Sequence, residues 1–230
     1  MRHRLAIWGA GGHALVVADI VRLRDEYELV GFVDDSQRPH ESSYFGAPLF
    51  TGDALLTRLK ERAVSHLIFG FGDCDVRLSL GHAVRAAGFA LATAIHPHAV
   101  VAADVAVGAG TVIAAGAVVN PGSTVGDNVN ILPSASVDHQ CRIEDGAHVG
   151  PGVHLAGTVS IGPAAWIGIG AIVNDGVRVG AGALVGAGAL VLDDVPERVL
   201  VHGSPARVVR ALNRTVFEEI RHARAKRRAP

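Results

Sequence analysis

Five histidines in the middle of the chain are the side chains best suited to acid–base or metal chemistry; they stand at positions 96, 98, 139, 148 and 154. An imidazole binds metals when neutral, and its usual pKa of about 6.5 lets it take a proton at neutral pH. His139 is the candidate general base, because it follows Asp138 and should point outward from a corner of the repeat described next.

The histidines lie in a stretch with a six-residue period. From Ile95 to Val191 every sixth residue is Val, Ile or Leu, and the residue four positions later is small or branched. This period fits neither a helix nor an alternating strand, but it is typical of a hexapeptide β-helix. Three hexads, or about 18 residues, close one triangular coil, with the aliphatic residues inside and glycines in the turns.

The register of the coil predicts which histidines could share a metal ion. Residues one full coil apart should stack on one wall, and no two of His139, His148 and His154 have that spacing. His96 and His98 lack an evident third ligand. We therefore expect no metal site within one chain, while a site shared between subunits stays open.

The neighbours of His139 in the stack are compact. The position one coil later is Gly157, and the position one coil earlier is Pro121. A histidine beside a missing side chain should adjoin an open groove, which either a ligand or solvent could fill.

A glycine-rich turn dominates the start of the chain. The predicted βαβ unit consists of a strand at Arg4–Trp8, a Gly-Ala-Gly-Gly-His turn at residues 9–13, a helix at Ala14–Arg24 and a strand at Glu28–Val33 followed by Asp34 and Asp35. Such a turn offers backbone N–H groups and a helix N-terminus to an anion. The spacing Gly9-x-Gly11-x-x-Ala14, with an acid about 20 residues later, fits the dinucleotide fingerprint.

The rest of this N-terminal region predicts one small sheet of three or four strands. It contains a helix at Asp53–Ala63, a strand at His66–Phe71, the pair Gly72-Asp73 and a helix from Val76 to Ala87. About 90 residues are few for the two mononucleotide halves that NAD requires. A single nucleotide or nucleotide-sugar fits better, and a purely structural turn is the alternative.

The hexads and the N-terminal segment together resemble the hexapeptide-repeat sugar O-/N-acyltransferases, typified by sialic acid O-acetyltransferases and nucleotide-4-aminosugar N-acetyltransferases. The resemblance covers roughly residues 3–210. It implies a small Rossmann-like α/β domain (1–94) that binds a nucleotide-sugar, followed by a left-handed parallel β-helix (95–230) with a C-terminal helix, expected over 206–226. It also implies acetyl-CoA as co-substrate and a homotrimer with active sites between subunits.

The resemblance assigns the catalytic stretch to residues 137–141, with His139 as general base. Where the family commonly has a carboxylate directly after this histidine, the chain has Gln140. An orienting acid would then be Asp138, Glu144 or Asp145.

The resemblance also assigns binding residues. His148 should lie near the thioester carbonyl, and acetyl-CoA should lie along Gly157, Ile169 and Ala187. Leu132 stands where family members often carry an acceptor-binding Asn. On the nucleotide-sugar side the implied residues are Gly11, Gly12 and His13 at the diphosphate, Asp34 and Asp35 near the base or ribose, Gly72 and Asp73 in the adjoining segment, and Arg77 near a phosphate. Helix-start, turn and surface roles are the structural alternatives for these residues.

Composition favours a cytoplasmic protein without membrane insertion. The net charge of −1 gives no general attraction to nucleic acid or membranes, and the basic segment 221–228 is interpreted as a solvated tail, with CoA phosphates or nucleic acid as alternatives. No signal peptide is visible. Charge-free stretches at 105–126 and 155–174 keep the six-residue phase, which a lipid-spanning helix would have no reason to do.

The resemblance, together with the N-terminal turn, therefore implies an acetyl-CoA-dependent N-acetyltransferase of bacterial surface glycan synthesis. It would act on the amine of a UDP- or GDP-linked 4-amino-sugar, which attacks the thioester directly. One alternative is O-acetylation of sialic acid or another sugar. The alternative from another class is a non-catalytic β-helix module for binding or assembly.

Overall fold

The computed structural model describes residues 2–34, 43–213, 215, 216 and 218–220. The first part of the chain is an α/β layer whose elements are β1 (His3–Trp8), α1 (Gly12–Leu23), β2 (Tyr27–Val33), β3 (Ser43–Tyr44), β4 (Ala47–Phe50), α2 (Leu55–Glu61), β5 (His66–Phe69), α3 (Cys74–Ala86) and β6 (Ala90–Leu91). The strands form one sheet in the order β3-β4-β2-β1-β5-β6, parallel except for the β3–β4 pair. The sheet is therefore larger than the predicted three or four strands, because the β3–β4 hairpin and the short β6 extend its two edges.

Helix α1 packs on this sheet through one apolar face. Its buried residues are Ala14, Val17, Ala18, Ile20 and Val21, which is the spacing of a helix stripe that faces a core. Gly70 lies at the end of β5, and a β-carbon there would stand 2.6 Å from the Ala14 Cβ. The start of α1 is thus held directly against the ends of the central strands.

The second part of the chain is a parallel β-helix of two-residue strands: β7 (Ala94–Ile95), β8 (Val100–Val101), β9 (Ala106–Val107), β10 (Val112–Ile113), β11 (Val118–Val119), β12 (Thr124–Val125), β13 (Asn130–Ile131), β14 (Ser136–Val137), β15 (Arg142–Ile143), β16 (His148–Val149), β17 (His154–Leu155), β18 (Ser160–Ile161), β19 (Trp166–Ile167), β20 (Ile172–Val173), β21 (Arg178–Val179), β22 (Leu184–Val185) and β23 (Leu190–Val191). Every third strand belongs to the same wall and pairs in register with the strand one coil away. The predicted division into 1–94 and 95–230 falls inside β7.

The core of the coil consists of the two inward positions of each hexad. Ile143 and Ala147, for example, are 1% and 0% exposed, and Cys141 is 1% exposed. Apart from the buried hydroxyls of Thr111 and Ser123, the interior is apolar and close-packed, as the aliphatic and small residues of the repeat predict. It makes the coil a stiff scaffold on which only outward side chains and turns can carry chemistry.

The end of the chain differs from the sequence prediction. After β24 (Val199–Gly203), residues Ala206–Ala211 form strand β25, which pairs antiparallel with β24. The predicted helix over 206–226 is therefore wrong in its first part. Among the residues described at this end, the helical ones are 216 and 218–220. Residues 221–230, with the basic segment, lie outside the described residues, as does Asp35.

Three walls and three edges of the coil matter for the site. The groove wall contains β7, β10, β13, β16, β19, β22 and β24. The second wall contains β8 and every third strand after it to β23, and the third wall contains β9 and every third strand after it to β21. We call the edge between the second and third walls the far edge, since it lies opposite the groove wall.

Candidate active site

The glycine turn leaves the N-terminus of α1 open. Gly9 adopts φ +123°, and a β-carbon there would lie 3.0 Å from the Gly70 carbonyl oxygen, so only glycine fits. Gly11 is the N-cap of α1 and no side chain caps the helix. β-Carbons at Gly11 and Gly12 would meet nothing within 4 Å. Uncapped backbone N–H groups at a helix N-terminus are suited to bind an anion.

A groove of about 1650 Å³ separates this helix start from the groove wall of the coil. Among its lining residues on the N-terminal side are Gly11, Gly12, His13, Asp34, Gly72 and Asp73. Among those on the coil are Leu132, His148, Trp166, Ile169, Ala187 and His202. The structure thus brings into one groove most of the residues that the sequence predicted for a nucleotide-sugar and for acetyl-CoA.

Two histidines, His13 and His148, line the groove and both are held neutral. Burial, helped by the charge of Arg77, lowers the pKa of His13 to about 4. His148 stacks on Trp166 with ring centroids 3.6 Å apart, and burial lowers its pKa well below the usual 6.5, again with help from Arg77 and then His13. A buried imidazole next to a guanidinium cannot readily accept a second positive charge.

Asn130 adds an uncommitted polar group beside the two histidines, as the ladder neighbour of His148. It is 1% exposed, and both polar atoms of its side chain lack a hydrogen-bond partner, as do Nε2 of His13 and Nδ1 of His148. The Asn130 amide lies close enough to His13 to oppose the lowering of its pKa, although no atom pair between them reaches hydrogen-bond geometry. Buried polar atoms in this state are ordinarily satisfied by water or a ligand.

Sequence reasoning missed Asn130 and Trp166, although the repeat contains the signal for both. Asn130, His148 and Trp166 are each the first residue of a strand in the groove wall and are successive rungs of one ladder. Reading the outward positions one coil before and one coil after His148 would have found them.

Arg77 is placed differently from its predicted role. Its side chain is 1% exposed, and its guanidinium donates to backbone carbonyl oxygens of both domains: Phe71, Gly72, Asn128, Gly146 and Ala147. The predicted contact with a phosphate is not supported, because these carbonyls and the Cys74 sulfur take up its donors. Arg77 instead joins α3 to the coil and supplies a positive charge that helps to lower the pKa of His13 and of His148.

The remaining predicted residues of the N-terminal side lie at strand and helix ends. Asp34 follows β2, is 7% exposed and lines the groove. Asp73 also lines the groove and is the N-cap of α3, where its Oδ1 accepts a hydrogen bond of 3.1 Å from the Val76 N–H.

His139 lies away from the groove, in the turn between β14 and β15 at the far edge. Asp138 Oδ1 accepts hydrogen bonds from the Asn120 amide and from the backbone N–H of His139, both 2.8 Å, and these two contacts lower the pKa of the Asp138 carboxyl. Glu144 stands after β15, paired with Arg142 at 3.7 Å. The structure therefore brings Asp138 to the His139 turn and does not bring Glu144 there.

Gly157 also lies on the far edge rather than in the groove. A β-carbon at Gly157 would stand 2.6 Å from Cε1 of His139. The space that the sequence predicted as an open groove is thus occupied by the imidazole ring itself. Ile169 and Ala187 line the groove from another edge, so one chain does not bring the three predicted acetyl-CoA residues together.

The residues that the structure describes also bear on metal binding, disulfides and membrane-spanning helices. No group of three or more His, Cys, Asp or Glu side chains is arranged to hold a metal ion there. Neither of the two cysteines, both buried, is in a disulfide. Among the described residues, no helix is long and apolar enough to cross a membrane.

Family models match both parts of the chain. Residues 4–84 match the PglD N-terminal domain, and residues 122–157 and 158–193 match bacterial transferase hexapeptide (six repeats). A comparison with curated proteins found no match.

Solved structures match the chain over most of its length. Perosamine N-acetyltransferase from Caulobacter crescentus, solved as a single-residue variant in complex with CoA and GDP-perosamine, is 40% identical, with 89% of this chain and 95% of that chain covered and a TM-score of 0.84. The acetyltransferase domain of PglB from Neisseria gonorrhoeae, in complex with acetyl coenzyme A, is 35% identical, with 91% and 100% covered and a TM-score of 0.84.

A third structure, WeeI from Acinetobacter baumannii, is 23% identical over 90% of this chain and 100% of that chain, with a TM-score of 0.78, and shares the fold. These likenesses and the repeat confirm the predicted fold class. It is a small Rossmann-like domain, a left-handed parallel β-helix and a short C-terminal helix.

Proposed function

The chain belongs to the acetyl-CoA-dependent sugar acetyltransferases of the hexapeptide-repeat family, and we propose that its acceptor is the amine of a nucleotide-linked 4-amino-sugar. The observation that carries this proposal is the single groove between the open N-terminus of α1 and the His148–Trp166 stack. Its two sides differ in chemistry, as a diphosphate-linked sugar and a thioester require.

The N-terminal side of the groove suits a nucleoside diphosphate. The unshielded N–H groups at Gly11 and Gly12 can bind phosphate oxygens, and Asp34 at the end of β2 lies where an acid can accept hydrogen bonds from a ribose or base. A free sugar such as sialic acid would leave this side unused. That difference favours a nucleotide-linked acceptor, and the complex of perosamine N-acetyltransferase with GDP-perosamine agrees with it.

The chemical step is attack of the sugar amine on the thioester carbonyl carbon. The C–N bond forms, the carbonyl becomes a tetrahedral oxyanion, and the C–S bond then breaks to release CoA as a thiol. A general base must take the proton that the nitrogen loses. We assign this role to His139, an exposed imidazole in a turn fixed by Asp138.

His148 is suited to a second task in this step, which is to stabilise the oxyanion. With its pKa held well below neutral, it is an uncharged imidazole at neutral pH, and a neutral imidazole retains one N–H donor. A donor fixed by stacking on Trp166 could polarise the thioester carbonyl and stabilise the oxyanion. Because the ring is already neutral, its donor is available across the physiological pH range.

A complete site requires a second copy of the chain. His148 faces the groove, whereas His139 lies on the far edge of the same coil. A base can act only within hydrogen-bond reach of the reacting nitrogen. We therefore infer that His139 of one subunit acts in the groove of a neighbour, in a homotrimer.

The test is CoA thiol release from acetyl-CoA with a panel of acceptors. The panel contains UDP- and GDP-linked 4-amino-sugars, the corresponding 4-hydroxy-sugars, and free and CMP-linked sialic acid. We expect release with one nucleotide-linked 4-amino-sugar and a fall in kcat of about 10²–10⁴-fold in His139→Ala. His82→Ala, which removes an exposed histidine of α3, is the matched control and should retain full activity.

Other outcomes of this assay would replace parts of the proposal. Release only with a sialic acid would assign O-acetylation and refute the nucleotide-linked acceptor. Wild-type rates in His139→Ala would refute the assigned base. Saturable binding of acetyl-CoA without turnover on any acceptor would show that the proposed acceptor is wrong.

A further inference from the structure

Three residues form one column on the far edge of the coil. His139, Gly157 and Asp175 follow one another at a spacing of one coil. Their turns are stacked by backbone hydrogen bonds: Thr158 N–H to the His139 carbonyl at 2.9 Å, and Gly176 N–H to the Gly157 carbonyl at 3.0 Å. The column therefore places His139 and Asp175 two coils apart with one residue between them.

The residue between them has no side chain. The point that a Gly157 β-carbon would occupy lies 2.8 Å from Nε2 of His139 and 2.9 Å from Oδ2 of Asp175. The backbone at Gly157 does not adopt the left-handed conformation that favours glycine, since no positive φ occurs there. Glycine is required at this position for space, and the space it leaves is shared by an imidazole and a carboxylate.

The Asp175 carboxylate is itself held in place. Its Oδ1 accepts a hydrogen bond of 3.1 Å from the Thr158 hydroxyl, which leaves Oδ2 on the side of His139. Two of the three carboxylate candidates named from the sequence are less well placed. Asp138 uses Oδ1 on Asn120 and on the His139 backbone, and Glu144 lies beyond β15 beside Arg142.

We propose that Asp175 is the positioning residue of His139, acting across the gap left by Gly157. This inference rests on the proposed role of His139 as base. When His139 takes the proton of the attacking nitrogen it becomes an imidazolium, and the carboxylate stabilises that cation and the ring orientation without taking the proton itself. Asp175 thereby supplies the acid that Gln140 does not.

The kinetic test compares Asp175→Asn with Asp193→Asn. Asn keeps the size of Asp but removes its charge. Asp193 is the control because its side chain is 85% exposed and is paired with Arg207 at 3.9 Å rather than with His139. We expect kcat to fall about tenfold or more in Asp175→Asn, a part of the roughly 10²–10⁴-fold that a general base contributes. KM values for both substrates should not change, and Asp193→Asn should behave as wild type.

A double variant separates positioning from a merely structural role. If Asp175 acts through His139, adding Asp175→Asn to His139→Ala should cost no further activity, because the interaction is already absent. A multiplicative loss in the double variant would refute the proposal. So would an equal loss in Asp193→Asn.

A spectroscopic test does not depend on the acceptor. The His139 ring signal in a ¹H–¹³C NMR spectrum, assigned by its loss in His139→Ala, should shift in Asp175→Asn and in Gly157→Ala but not in Asp193→Asn. An unchanged signal in Asp175→Asn would overturn the positioning role even if the acetyl transfer proves correct. A shifted signal in an enzyme inactive on every acceptor of the panel would refute the proposed acceptor alone.

Discussion

Acidification should destabilise the protein through His13, a side chain that the fold holds neutral. The usual histidine pKa is about 6.5, and burial against Arg77 lowers that of His13 to about 4. Between these two values the unfolded chain binds a proton that the folded chain does not, so stability falls as the pH falls. The full contribution is present above pH 6.5 and is lost progressively down to about pH 4.

The magnitude follows from the shift. With these two pKa values, His13 alone should make the free energy of unfolding about 2 kcal/mol smaller at pH 5 than at pH 7, with a limit of about 3 kcal/mol below pH 4. His148 contributes in the same direction, because its pKa is also lowered. Other groups titrate too, so the contribution of His13 is measured as a difference between variants.

The assay is urea unfolding at fixed protein concentration, followed by the fluorescence of Trp8 and Trp166, at pH 7, 6 and 5. His13→Gln removes the titrating group, and we expect the acid-induced destabilisation between pH 7 and pH 5 to be smaller in this variant by about 2 kcal/mol. His82→Gln is the control for an exposed histidine and should follow wild type. Identical pH dependence in His13→Gln and wild type would refute the argument that His13 is held neutral.

Three further substitutions test the parts of the fold that position the site, each by urea unfolding. Arg77→Met should lower the free energy of unfolding by roughly 3 kcal/mol or more, because it leaves several buried carbonyls without a donor. The control Arg85→Met breaks only the exposed pair with Asp127 and should cost less than about 1 kcal/mol. Equal costs in the two variants would contradict the role given to Arg77. Asp73→Ala should cost about 1 kcal/mol through loss of the α3 N-cap, and no change would show that the cap is dispensable. Ile143→Ala should cost about 2–5 kcal/mol by opening a cavity in the coil, and a cost near zero would contradict the close packing seen there.

The coil could be predicted from the sequence because its constraint is local and repeated. Every hexad must place an aliphatic side chain inside the prism and a small or branched residue four positions later, as Ile143 and Ala147 do. The same register predicted that Gly157 stacks on His139. The turn from Gly9 to His13 was predictable for a similar reason, since the geometry at Gly9 admits only glycine.

The elements that the sequence could not predict depend on tertiary pairing. Residues 206–211 are rich in Ala and Arg, which favour helices, yet they form β25 because β24 offers an open edge for pairing. Arg77 has the sequence context of a surface helix residue, and only the docking of α3 against the coil shows that its guanidinium is buried. No local pattern encodes either contact.

The three-edged coil gives a physical reason for the proposed division of the chemistry between subunits. Residues one coil apart lie on the same edge, because every third strand returns to the same wall. His139 and Asp175 therefore share an edge and can act together within one chain, whereas His139 and His148 cannot approach each other however many coils are added. If His139 is the base for a substrate held beside His148, the far edge that carries His139 must come from another copy of the chain. A dissociated monomer should therefore bind nucleotide-sugar but not turn it over. Light scattering combined with the thiol-release assay on dilution measures this directly, and full activity in a monomer would refute both the shared site and the role of His139.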